Sequence, residues 1–130
     1  MKTPMMTEKM VFQYQYERES WLRMLAFLKK EMVFLKIRLS EIIKNESDNK
    51  LLEQVECFQN SFLNIETTIT LLQQEIREQY ILTSPRNKAE EAIAIKLLER
   101  HNRLRDEMGK MWEEFSSIQD GFCQYFLASM

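Results

Sequence analysis

Apolar residues return along this chain at alternating intervals of four and three, and they do so in three separate runs. In the first, Trp21, Leu25, Leu28, Met32, Leu35, Leu39 and Ile42 succeed one another at 4, 3, 4, 3, 4, 3. In the second, Leu51, Val55, Phe58, Phe62, Ile65, Ile69, Leu72 and Ile76 keep the same rhythm. The third is the longest: Ala94, Leu97, His101, Leu104, Met108, Met111, Phe115, Ile118, Phe122 and Tyr125. An α-helix brings side chains at these intervals onto one face, whereas a strand would need a period of two. Three helices with one apolar seam each can bury those seams only against one another.

The breaks between the runs are equally legible. Asn45-Glu46-Ser47-Asp48 is a polar cluster whose Ser47 or Asp48 suits a helix N-cap, and Thr83-Ser84-Pro85 stops one helix and suits the first turn of the next. With only two glycines (Gly109, Gly121) and two prolines (Pro4, Pro85), the chain lacks the turn residues that a β-rich fold needs. The expected fold is all-α: an antiparallel up-down-up three-helix bundle, one domain over residues 1–130, with helices over about 7–45, 48–82 and 85–127. The start of the first helix is ambiguous. Thr7 could cap it and place Val11 and Tyr14 on the seam, yet Val11 to Tyr16 also alternates like a strand, so residues 1–16 could form an extended arm. The helical reading is favoured. Gly109 and Gly121 fall off the third seam, where a slight bend or a close contact would explain them.

Charge is distributed unevenly. Residues 1–45 carry nine Lys/Arg against five Glu, residues 46–82 two against seven acidic residues, and residues 83–130 seven against eight. The first two helices thus have opposite sign, which favours their pairing with each other over pairing of like with like. A net charge of −2 offers nucleic acid or an anionic membrane little attraction. Lys96, Arg100 and Arg103, with Arg105 nearby, form a basic face on the third helix, but Glu99, Asp106 and Glu107 interrupt it, so a solvated face is the better reading than a nucleic-acid reader. No apolar stretch approaches the ~18–20 residues that span a bilayer. The opening Met1-Lys2-Thr3-Pro4 leads into charged residues, unlike a secretory signal. Cytoplasmic location with Cys57 and Cys123 reduced is the expectation, and both thiols read as inert packing groups.

Candidate chemistry is sparse. His101, the single histidine, occupies a seam position. Aligning the three runs antiparallel sets it level with Glu31 of the first helix and Glu66 of the second, which defines a possible polar core site of His101, Glu31 and Glu66. Such a trio could bind a ligand or metal, or do acid–base work. The plainer reading is a histidine that hydrogen-bonds one glutamate and sets helix register. A di-iron bundle needs Glu-x-x-His on two helices, which one histidine cannot supply. Phosphate-binding glycine loops and nucleophile elbows are missing from the sequence. The expectation is therefore a protein without enzymatic activity, metal or cofactor.

Phe27, Val33, Phe34 and Ile37 lie on the first helix nearly opposite its seam. A lone three-helix bundle would leave them facing water, and a stripe of exposed apolar side chains usually marks a contact surface. Lys29, Lys30, Lys36, Arg38 and Glu41 rim it, as polar residues rim an interface core. The expected function is protein–protein interaction through this stripe: a homodimer formed by the first helix, or the holding of a partner helix.

Trp21 through Ile43, together with Glu56-Cys57-Phe58-Gln59-Asn60 and Arg105-Asp106-Glu107-Met108, resembles small uncharacterised bacterial helical-bundle proteins. The resemblance implies a helical bundle and brings no activity or site residue with it. The layout is also similar to spectrin-like three-helix repeats, a likeness of architecture alone.

Overall fold

The computed structural model describes residues 8–45, 49–82 and 91–129, and every one of them is helical. The three helices are α1 (Glu8–Asn45), α2 (Asn49–Leu82) and α3 (Glu91–Ser129). The first residues expected for each helix, 7, 48 and 85–90, lie outside the described residues. Residues 8–16 belong to α1, so the strand-like alternation there is overridden. Val11 and Tyr14 are partly buried along the helix, whereas Phe12 is 72% exposed. At 1.5 Å per residue the helices are about 50–60 Å long.

Side-chain contacts fix the directions. Phe58 near the start of α2 meets Phe122 and Tyr125 near the end of α3, with ring centroids 5.3 and 5.4 Å apart. At the opposite end, Gln79 Nε2 of α2 donates to the Leu97 carbonyl of α3 at 2.9 Å. Lys36 of α1 pairs with Glu66 of α2 at 2.9 Å, and Arg105 of α3 with Glu17 of α1 at 2.8 Å. The chain therefore runs up, down and up, with α1 and α3 parallel and α2 opposed to both. The α1–α3 approach is the sparsest of the three, and bulky groups (Tyr14, Trp21 and His101) fill it.

The core is the meeting of the three seams. All seven α1 seam residues from Trp21 to Ile42 are buried, as are Val55, Phe62, Ile65, Ile69, Leu72 and Ile76 of α2. From α3 come Leu97, Leu104, Met108, Met111, Phe115 and Phe122. Phe62 packs against Phe122 at a steep angle (68°, centroids 5.6 Å), the edge-to-face arrangement that aromatic quadrupoles favour.

Two local oddities of the sequence are resolved by geometry. Thr67, Thr68 and Thr70 lie within α2, and their hydroxyls donate to the carbonyls of Leu63, Asn64 and Glu66 at 2.9, 2.9 and 3.1 Å. Bonding back to residue i−4 satisfies each hydroxyl without breaking the helix. Gly109 and Gly121 serve no close contact: a Cβ on either would meet no atom within 4 Å. Among the described residues no helix is long and apolar enough to cross a membrane.

Candidate functional site

His101 is fully buried, as a seam residue should be. Its neighbours come from α1. Its ring lies 4.1 Å from that of Tyr14 and 4.8 Å from that of Trp21, tilted 32° to each. Nε2 is 3.6 Å from Glu17 Oε1, and the buried Arg18 adds a positive charge nearby. Tyr14, Glu17, Arg18 and Trp21 stand at i, i+3, i+4 and i+7, the four positions that enclose one inserted side chain from a facing helix. Glu17 is itself committed. Arg105 of α3 grips it with two bonds, Nε to Oε2 at 3.0 Å and Nη2 to Oε1 at 2.8 Å, while Arg105 Nη1 donates to Asn102 Oδ1.

Burial pushes the His101 pKa down from 6.5 to about 4; Glu17 opposes that shift, and Arg18 and Arg105 reinforce it. The imidazole is neutral near pH 7. The ring is closed off from water, and the adjacent carboxylate is held by an arginine fork. That arrangement ties α1 to α3 and keeps the imidazole out of water.

The expected trio of His101, Glu31 and Glu66 is not brought together. The carboxylate beside His101 is Glu17, and Glu66 is held by Lys36. Glu31 stands fourteen residues beyond Glu17 on α1, about 21 Å along the helix axis. The reason for the misplacement is axial. A seam repeats every seven residues, so it fixes which face is buried but not how far one helix slides along another. The observed register sets the His101 turn against Glu75 and Gln79 of α2. Arg100 lies 3.8 Å from Glu75 and 4.0 Å from Glu78, and Gln79 bonds to Leu97. Two members of the expected basic face, Arg100 and Arg105, are thus engaged by glutamates of α2 and α1. Sequence reasoning missed Glu17, Arg18 and Gln79. The only available signal for the first two was their place three and four residues after Tyr14. Cys57 and Cys123 are free, as expected, but exposed and not packed, because each falls beside its seam and not on it.

The α1 stripe lies on the surface. Phe27 is 51% exposed, Val33 49%, Phe34 62% and Ile37 50%. Tyr16 extends the same face toward the start of α1 and is also exposed. On the rim, Arg38 bonds to Glu41 at 3.2 Å, and Lys36 reaches across to Glu66. Leu63 and Leu71 of α2 and Trp112 of α3 are exposed too, on other helices. Among the described residues no group of acidic, histidine or cysteine side chains is placed to hold a metal ion. The chain matches no protein-family model, no curated protein and no solved structure.

Proposed function

We propose that the protein is a non-enzymatic interaction module of the cytoplasm that associates with a second copy of itself through the outer face of α1. The observation that carries this reading is the half-exposed run of Phe27, Val33, Phe34 and Ile37. A two-fold contact is self-complementary, so a single apolar stripe suffices to form it. Burial contributes roughly 1.5–3 kcal/mol per large side chain before the cost of association, enough for a modest dimer. The two exposed thiols, Cys57 and Cys123, suit a reducing compartment.

The test is Ile37→Glu, with mass followed by light scattering and helicity by circular dichroism. A folded monomer derived from a dimeric parent supports the reading. A parent that stays monomeric at high concentration removes self-association and leaves the stripe to a different protein. An unfolded variant would mean that Ile37 supports the bundle itself, against its exposure.

A further inference from the structure

The outer face of α1 carries a second seam. Tyr16, Ser20, Arg23, Phe27, Lys30, Phe34, Ile37 and Glu41 succeed one another at 4, 3, 4, 3, 4, 3, 4, the same rhythm as the buried seam. All are exposed except Ser20, which is half-buried. A helix with two such seams can pack a neighbour on each side.

Resting on the reading that this face takes a second copy, we infer that the two α1 helices pair antiparallel about a two-fold axis level with Met32. Residues equally distant from position 32 then face each other. Arg23 lies opposite the partner's Glu41, Phe27 opposite the partner's Ile37, and Lys30 opposite the partner's Phe34. Symmetry makes each layer twice. The outer layers are opposite charges, the next are apolar, and the inner ones set an ammonium over an aromatic face.

The alternatives fit worse. Parallel pairing sets Arg23 on the partner's Arg23, Lys30 on the partner's Lys30 and Glu41 on the partner's Glu41, three like-charge layers. Sliding the antiparallel pair by one heptad toward the helix end joins Lys30 to the partner's Glu41, Phe34 to the partner's Ile37 and Phe27 to the partner's Lys44. But α1 ends at Asn45, so Arg23 then faces no residue of the partner's helix and its charge goes unmatched. Sliding it the other way sets Phe27 against the partner's Lys30 and Phe34 against the partner's Arg23. Arg38 already touches Glu41, but both are more than half exposed, and such pairs are weak enough to leave the carboxylate open to a second partner.

Charge reversal tests this register in the full chain. Arg23→Glu and Glu41→Arg should each weaken the dimer by about tenfold, because each converts two attractive layers into repulsive ones. The double variant Arg23→Glu/Glu41→Arg should restore wild-type dimerisation. A nitroxide at Lys44→Cys, with Cys57→Ser and Cys123→Ser, gives a second measurement. Antiparallel pairing places the two labels about 36 Å apart along the axis, and parallel pairing sets them side by side. A dimer that ignores Arg23→Glu, or whose labels lie close together, overturns the register while leaving self-association intact. A wild type that is monomeric at every concentration overturns the underlying reading instead.

Discussion

The packing around His101 favours a neutral imidazole, and that has a consequence in pH. The unfolded histidine titrates near 6.5, whereas burial lowers the folded value to about 4. Between those values the unfolded chain binds a proton that the folded chain refuses. The contribution is therefore fully present above pH 6.5, declines as pH falls, and is lost as it passes about 4. On the order of 3 kcal/mol is at stake over that window. His101→Gln should flatten the dependence of unfolding free energy between pH 6.5 and 5, above most carboxylate titration. An unchanged slope would mean that His101 is not the group responsible. The glycines give a prediction of opposite sign. Since a Cβ at Gly109 meets no atom within 4 Å, Gly109→Ala should stabilise the protein by roughly 0.5–1 kcal/mol, read from the denaturation midpoint.

At the level of the helices, seam positions and outward positions should differ sharply in cost. Leu35 and Phe62 are 7% and 1% exposed, so Leu35→Ala and Phe62→Ala should each lose roughly 2–5 kcal/mol in chemical denaturation. Glu113→Ala, at an exposed position outside the α1 stripe, should stay within about ±0.5 kcal/mol. Equal costs in the two classes would contradict the buried seams. The faces were legible in the sequence because helical periodicity is a local property: every α1 seam residue from Trp21 to Ile42 is buried. The exposure of Phe27 and Phe34 was legible for the same reason. The axial register was not, because it depends on which long polar groups meet across helices. Glu17 with Arg105 and Gln79 with the Leu97 carbonyl set it, and no interval within one helix announces those pairs.

For the molecule as a whole, self-association links stability to concentration. A dimer that forms only from folded chains draws the folding equilibrium toward the folded state as protein is added. Above the dimer Kd, each tenfold increase in concentration adds on the order of 1.4 kcal/mol per dimer, which for a domain of this size is a few degrees in Tm. Wild-type protein should therefore melt at rising temperature across a concentration series followed by circular dichroism. Ile37→Glu should melt at one temperature throughout, because a carboxylate facing the partner's Phe27 would have to be buried without a partner. The two series should converge at high dilution, where both proteins are monomers and differ only at an exposed position. A wild-type Tm that does not move from micromolar to millimolar protein would remove the dimer, and the exposed α1 stripe would then need a partner of different sequence.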